Sequence, residues 1–250
     1  NSFAELFFDL KKLIAGEIIG GDVALTIEPT VQSMLEKNLE KTKEKYKAQT
    51  VGGMIINPKT GEIIAMSAKP DFNPNQYAKT KDFSIFMNPL VESVIEMGSI
   101  MKPLTLAASM DNGSITASTT YTDKGFLVLG PSRIENYDGK GRGVVDMQRV
   151  LNESLNTGAV FAMQRMGQDK FRDYMLGYGF GEKTGVELPQ EGKNNISNII
   201  GNSREIEYAT ASFGQGVAVT PIAMVTALAS LANGGLIMKP HIVKEESVKG

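Results

Sequence analysis

The feature that most constrains this chain is a run of 31 residues, Tyr208 to Met238, that contains no charged side chain. A run of that length can cross a bilayer as a helix, so it has to be buried in a membrane or in a protein core. Glycines and an asparagine interrupt it, and Thr220 followed by Pro221 is a typical helix start. The sequence therefore predicts a buried core helix over about 221–232.

Strand signals are few and lie mostly near the amino terminus. A short strand is predicted at 23–27, then a helix from Glu28 to about Lys47, then a hairpin formed by 53–57 and 62–66. A loop follows at 70–77, and the rest of the chain is expected to be mostly helical, with helices at about 99–111, 146–153, 157–166, 169–176 and 221–232. Because an isolated hairpin is only marginally stable, further strands are expected beyond Gly250. The ending at 242–250 itself resembles the start of a strand.

Composition excludes several classes of function. Lys and Arg number 26 against 28 Asp and Glu, a net charge of −2, so the basic excess typical of nucleic-acid binding is missing. The chain has no cysteine, which excludes thiolate nucleophiles, cysteine-bearing zinc sites and disulfides. With His241 as its one histidine, an enzyme of this sequence is expected to use Lys, Asp or Glu as its base. No metal or cofactor is implied.

The first candidate motif is Ser99-Ile100-Met101-Lys102. A spacing of three places the hydroxyl and the amine on one helical face, close enough for the amine to accept the hydroxyl proton. A serine at a helix start also has backbone N–H groups nearby that can bind an oxyanion. The motif alone carries little weight, since the 16 serines and 20 lysines of the chain yield about one such tetrapeptide by chance.

The second candidate motif is Ser154-Leu155-Asn156, at the junction of two predicted helices. A hydroxyl and a carboxamide two residues apart can point into one cleft, where the first relays a proton and the second binds a substrate amide. Taken alone, an N-cap serine followed by an ordinary asparagine is the simpler interpretation.

The order of the two motifs along the chain and the segments around them make both more significant, because the chain resembles a known family over nearly its whole length from Gly21. Ser-x-x-Lys, a Ser-x-Asn type motif and Lys-Thr-Gly are shared by penicillin-binding proteins and class A β-lactamases. The flanking segments resemble those of class B penicillin-binding proteins, the peptidoglycan D,D-transpeptidases. The similar segments are 25–29 with Gln32, 57–66, 72–75, 98–103, 154–158, 179–189, 213–216 and 220–221.

The resemblance implies an α+β fold of the penicilloyl-serine transferase type (β-lactamase/transpeptidase-like), with a helical subdomain beside an antiparallel sheet that is incomplete in this chain. In that fold the helix predicted at 221–232 is expected to be the central buried helix, next to the helix that begins near Ser99. It implies Ser99 as the nucleophile toward D-Ala-D-Ala stem peptides and β-lactams, and Lys102 as its base. Ser154 would relay the proton to the leaving amine, and Asn156 would hold the substrate amide.

Lys-Thr-Gly occurs twice, and neither copy is expected to be the third motif of the family. Lys59-Thr60-Gly61 is the predicted hairpin turn, and Lys183-Thr184-Gly185 lies in a glycine-rich loop. By resemblance the third motif lies on a strand beyond Gly250. Residues 1–20 would then be a remnant of an N-terminal non-catalytic pedestal region, and residues 21–250 a C-terminally incomplete transpeptidase domain.

The resemblance also implies a location on the extracytoplasmic face of the bacterial cytoplasmic membrane, with an anchoring helix outside this chain, and a glycan polymerase as partner. Two alternatives stay open. A D,D-carboxypeptidase or β-lactamase would pass the acyl group to water, and an incomplete fragment would act as a scaffold or interaction module without catalysis.

Overall fold

The computed structural model describes residues 21–79, 82–201 and 203–248. The expectations for residues 1–20 and for the region beyond Gly250 therefore lie outside the described residues. The chain begins with strand β1 (Gly21–Leu25), helix α1 (Pro29–Tyr46) and strands β2 (Val51–Ile56) and β3 (Ile63–Lys69). The predicted strand, helix and hairpin at the amino-terminal end are confirmed, with boundaries that differ by a few residues.

Helix α1 starts where the sequence predicts, and a side chain in its first turns is hydrogen-bonded to the hairpin. The carboxylate of Glu28 accepts a hydrogen bond from Val31 N at 2.8 Å and caps the helix, whose first turn contains Pro29. Gln32 pairs with the backbone of Met66 like a strand neighbour, its amide donating to Met66 O and accepting from Met66 N, both at 2.9 Å. This side chain therefore fixes where α1 crosses the hairpin.

The end of the described chain returns to its beginning. Strand β8 (Val243–Val248) pairs antiparallel with β1, with Ala24 opposite Glu245. The strand predicted near 242–250 is thus confirmed. Within the described residues β2 pairs with β3 alone, so its second edge carries no strand there.

The helical body contains α2 (Lys102–Asp111), α3 (Met147–Asn152), α4 (Asn156–Met166), α5 (Gln168–Gly177), α6 (Glu205–Ala211) and α7 (Pro221–Ser230). Helix α7 begins at the predicted Thr220 cap, whose hydroxyl accepts a hydrogen bond from Ala223 N at 3.2 Å. Met224 of α7 and Leu104 of α2 are buried in one apolar cluster. The prediction of a buried helix beside the helix near Ser99 is confirmed. None of the helices in the described part of the chain is long and apolar enough to span a membrane.

The expectation of a mostly helical chain after the first hairpin is wrong for residues 120–146. Four strands of four residues each lie there: β4 (Thr120–Asp123), β5 (Phe126–Leu129), β6 (Ser132–Glu135) and β7 (Gly143–Asp146). They form two antiparallel pairs, β4 with β7 and β5 with β6. Strands this short give almost no period-2 signal, and these are held in place by packing on the helices, as Ile134 and Val145 are both buried among helical residues.

Candidate active site

The turn that carries Ser99 precedes helix α2 directly. Gly98 adopts a positive φ of 59°, and Gly98–Met101 form a single 3₁₀ turn that continues into α2 at Lys102. Met101 is buried in the core, while Ser99 is exposed to solvent. The turn is therefore anchored in the core and exposes the Ser99 hydroxyl to solvent. Ser99 Oγ lies 3.1 Å from Lys102 Nζ.

Lys102 is the central group of the site. Its side chain is only 2% exposed, and its amine also donates hydrogen bonds to Ser154 Oγ at 2.9 Å and to Ser154 O at 2.6 Å. Burial lowers the pKa of Lys102 from 10.5 to about 8, because the charged form loses solvation in the closed cleft. A substantial fraction of this amine is thus neutral near pH 8, and the neutral amine can accept a proton from a hydroxyl group.

Ser154 lies between α3 and α4 in the left-handed backbone conformation, with φ of 53°. This conformation is disfavoured for a residue with a Cβ atom, and such strain concentrates at functional sites. Ser154 does not cap α4, since Leu155 occupies the capping position and the helix starts at Asn156. The conformation turns both the carbonyl and the hydroxyl of Ser154 toward Lys102.

Asn156 lies at the start of α4, beside the cluster formed by the other three residues. Its side-chain amide donates a hydrogen bond to Glu135 O at 2.8 Å, which attaches it to strand β6. The structure therefore brings Ser99, Lys102 and Ser154 into hydrogen-bonding contact and places Asn156 two residues along the same loop, with its orientation fixed by the neighbouring strand.

A loop from the uncharged run supports the Ser99 turn, a role that the sequence alone did not indicate. Gly98 N donates to Gly214 O at 3.0 Å, and Gly216 N donates to a carboxylate oxygen of Glu96 at 2.9 Å. A Cβ atom on Gly214 would lie 2.2 Å from Gly98 O, so only glycine fits there. The signal in the sequence was the Phe213-Gly214-Gln215-Gly216 string, which the resemblance included without a function.

The first Lys-Thr-Gly string lies in a turn, and the second lies in an irregular loop. Gly61 closes the β2–β3 turn with φ of 83°, as predicted. In the second string the carboxylate of Glu191 accepts hydrogen bonds from Thr184 N at 2.6 Å and Gly185 N at 3.0 Å. The adjoining Val186 packs in a separate cluster with Ile63. Within the described residues no hydrogen bond joins either string to Ser99, Lys102 or Ser154.

Over the described ranges, no group of three or more acidic or histidine side chains is arranged to hold a metal ion.

Comparison with known proteins gives consistent matches. Residues 51–249 match the family model described as the penicillin binding protein transpeptidase domain. Stage V sporulation protein D of Bacillus subtilis is 36% identical over 228 residues, which cover 90% of this chain and 35% of that protein. A protein named probable peptidoglycan D,D-transpeptidase FtsI, from Caulobacter vibrioides, is 30% identical over 94% of this chain and 39% of its own length.

The fold matches solved structures as well. The crystal structure of penicillin-binding protein 2X from Streptococcus thermophilus superposes with a TM-score of 0.83 at 27% identity, over 92% of this chain and 34% of that one. The chain spans between about a third and two fifths of the length of the three proteins named above. This match confirms the expected α+β fold of the penicilloyl-serine transferase type, with a helical body beside antiparallel strands.

Proposed function

This chain belongs to the penicillin-binding protein transpeptidase domain family, and from that premise we propose that it is the greater part of the transpeptidase domain of a peptidoglycan D,D-transpeptidase, which acts through an acyl-enzyme on Ser99. The observation that carries the proposal is the position of the Lys102 amine, 3.1 Å from Ser99 Oγ and 2.9 Å from Ser154 Oγ. One buried base thus contacts both the exposed hydroxyl and the hydroxyl of the neighbouring loop.

In the acylation step, Ser99 Oγ attacks the carbonyl carbon of the penultimate D-Ala of a stem peptide. The Ser99 proton passes to the neutral amine of Lys102, and the carbonyl oxygen becomes an oxyanion. Backbone N–H groups in the turn that carries Ser99, which have no acceptor within their own helix, are suited to bind that oxyanion. Asn156 would hold the amide of the substrate chain.

The tetrahedral intermediate then collapses. The C–N bond to the terminal D-Ala breaks, and the leaving nitrogen takes its proton from Ser154 Oγ. Ser154 is resupplied by the Lys102 ammonium, which donates to it at 2.9 Å. An amine from a second stem peptide attacks the acyl-enzyme, loses its proton along the same path in reverse, and releases Ser99 as the cross-link forms. A β-lactam would enter by the same first step, its ring amide opening on Ser99.

We place residues 21–250 in the transpeptidase domain, as a C-terminally incomplete part of it, and residues 1–20 in a preceding non-catalytic region. Support comes from the pairing of β1 with β8, which joins the first and last described strands, and from the free edge of β2 within the described residues, which suits a further strand. That strand, following Gly250, would carry the third motif. A peptidoglycan substrate also favours an extracytoplasmic location, an anchor outside this chain and a glycan polymerase partner.

The fate of the acyl group separates this proposal from a carboxypeptidase or a β-lactamase. The full-length gene product is incubated with a pentapeptide ending in D-Ala-D-Ala, with and without an acceptor amine, and both released D-Ala and coupled product are quantified. We expect coupled product to exceed hydrolysed tetrapeptide, and a benzylpenicillin adduct to persist for many minutes. Hydrolysis alone, with rapid loss of the penicillin adduct, would favour the hydrolase alternatives. Absence of any reaction in folded protein would favour the scaffold alternative.

A further inference from the structure

A carboxylate that the proposed mechanism does not use lies buried next to the second motif. Asp123, at the end of β4, is only 2% exposed. Its two oxygens accept hydrogen bonds from Gly125 N at 2.9 Å, Arg142 N at 3.0 Å, Asn136 Nδ2 at 3.0 Å and Thr157 Oγ1 at 2.8 Å. A buried carboxylate is tolerated only where donors replace its lost water, so this arrangement has little freedom to move.

One of those donors lies in the first turn of α4, next to the second motif. Thr157 directly follows Asn156, and its hydroxyl donates to Asp123 while accepting from Tyr121 Oη at 3.0 Å. Its backbone N–H donates to Asn136 Oδ1 at 3.2 Å. The first turn of α4, on which Asn156 is mounted, is thereby bound to the strand region at two successive residues.

The other end of the loop is held from the same region. Arg142 donates through Nε to Glu153 at 2.8 Å, and its terminal nitrogens bind both oxygens of Asp138 at 2.8 and 2.9 Å. Glu153 directly precedes Ser154. Since Arg142 N also donates to Asp123, one residue links the carboxylate to the loop on its amino-terminal side.

Ser154 therefore lies between two anchors, Glu153 and Thr157, and its own backbone is in the disfavoured left-handed region with φ of 53°. A strained residue persists only where its surroundings hold it, and here the two anchors do so. Without these anchors, Ser154 would be free to move away from Lys102, whose amine it now accepts hydrogen bonds from at 2.6 and 2.9 Å.

We propose that Asp123 and Arg142 are positioning residues, which hold the loop 153–157 so that Ser154 and Asn156 face Lys102 and the bound substrate. This inference rests on the proposed function, because it assigns Asp123 and Arg142 a part in acylation. The proposed function itself involves only groups that touch the substrate or the reacting atoms, and these two residues touch neither.

The test uses Thr157→Val, which removes one donor to Asp123 without changing the shape of the side chain, and Thr157→Ser, which keeps the hydroxyl. Asp123→Asn is the direct variant, but its amide NH₂ would face other hydrogen-bond donors and could prevent folding. Thr157→Val is therefore the variant whose result decides the test. The control is Ser109→Ala, which removes another fully buried hydroxyl, bonded to Ala162 O on the same helix α4 at 3.1 Å, without touching the loop.

Two measurements are made on the full-length protein: the rate constant of acylation at saturating benzylpenicillin, and amide hydrogen exchange in residues 153–157. Thr157→Val is expected to lower the acylation rate constant at least tenfold with a smaller change in half-saturation, and to speed exchange of the loop at least tenfold. Thr157→Ser should restore both to within threefold of the unchanged protein. Ser109→Ala should lower the melting temperature and alter neither.

The results separate this inference from the proposed function. If the unchanged protein is not acylated, the proposed function fails, and loop exchange in Thr157→Val then decides whether the anchors hold the loop. Faster exchange would support the anchoring, and unchanged exchange would overturn it. If the unchanged protein is acylated and Thr157→Val reacts equally fast, the positioning role is overturned whatever the exchange shows.

Discussion

The side-chain amine of Lys102 donates hydrogen bonds to both the carbonyl and the hydroxyl oxygen of Ser154, a residue 52 positions further along the chain. This contact joins the start of α2 to the loop before α4 and closes the cleft around the amine. It places the base where it meets Ser99 and Ser154 at once, and the burial that results is what lowers the pKa of Lys102 to about 8.

The first prediction concerns pH. Because Lys102 must be neutral to take the Ser99 proton, the acylation rate should rise by about tenfold per pH unit below the lysine pKa and level off above it. With the pKa lowered to about 8, the midpoint of this rise is expected near pH 8. The measurement is the benzylpenicillin acylation rate over pH 6 to about 10.5, with substrate in excess. A rate that keeps rising toward the ordinary lysine pKa would show that Lys102 is not the base.

The second prediction concerns the stability cost of this amine. The pKa of Lys102 is 10.5 in the unfolded chain and about 8 in the folded one, so below pH 8 the folded state carries a penalty of up to roughly 3.5 kcal/mol, at about 1.4 kcal/mol per unit. Between these two values the unfolded chain binds more protons, and stability therefore rises with pH. Lys102→Met should stabilise the protein at pH 7 by about 1–3 kcal/mol, with a gain that shrinks as the pH passes from 8 to 10.5.

The gain from Lys102→Met is measured by chemical denaturation at several pH values. Lys37→Met, on the exposed face of α1, is the control and should give no pH-dependent difference. A loss of stability in Lys102→Met at pH 7 would mean that the amine stabilises the fold through its hydrogen bonds more than burial of its charge costs.

The third prediction concerns the glycine that supports the Ser99 turn. Gly214→Ala places a Cβ atom 2.2 Å from Gly98 O, and Gly214 also has a positive φ of 81°. The variant should lose more than about 2 kcal/mol of stability and more than tenfold in acylation rate, since the backbone before Ser99 has to move. Gly113→Ala is the matched control, with φ of 76° and open space at its Cβ position.

Gly113→Ala should lose only about 1 kcal/mol, the cost of the left-handed conformation, and keep its acylation rate. Equal effects of the two substitutions on both quantities would show that the contact between Gly214 and Gly98 does not position the nucleophile.

The fourth prediction concerns a hydroxyl in helix α7. Thr226 is 4% exposed, and its Oγ1 is the buried side-chain polar atom for which the described residues provide no partner. Thr226→Val keeps the shape and removes the unpaired hydroxyl, so it should raise stability by about 1 kcal/mol, or roughly 2–4 °C in melting temperature. Thr105→Val, which removes a hydroxyl bonded to Ser212 O at 2.8 Å, should lower it. A fall in both variants would indicate that Thr226 has a partner outside the described residues.

Local signals in the sequence were enough for some parts of the fold and the site. The contact of Ser99 with Lys102 follows from a spacing of three on one helical turn, and the structure confirms it at 3.1 Å. Helix α7 was predictable because Thr220, Pro221 and the apolar run agree with one another. These features depend on neighbours in the chain, and neighbouring residues are what a sequence pattern describes.

Features that depend on distant contacts were not predictable from patterns. The approach of Ser154 to Lys102 requires a left-handed residue that no glycine or asparagine marks, and only the resemblance to a family indicated it. Strands β4 to β7 are too short for a periodic signal and gain their stability by packing on helices. The burial of Asp123 could not be foreseen either, because its donors come from four separate positions between residues 125 and 157.

The role of Ser99 as nucleophile is best tested by intact-mass spectrometry of the full-length protein after incubation with benzylpenicillin, followed by peptide mapping. We expect one penicilloyl adduct per chain, located on the peptide that contains Ser99, and no adduct in a Ser99→Ala variant with an unchanged circular dichroism spectrum. An adduct that persists in Ser99→Ala, or none on the unchanged folded protein, would contradict the assignment of Ser99 as the nucleophile.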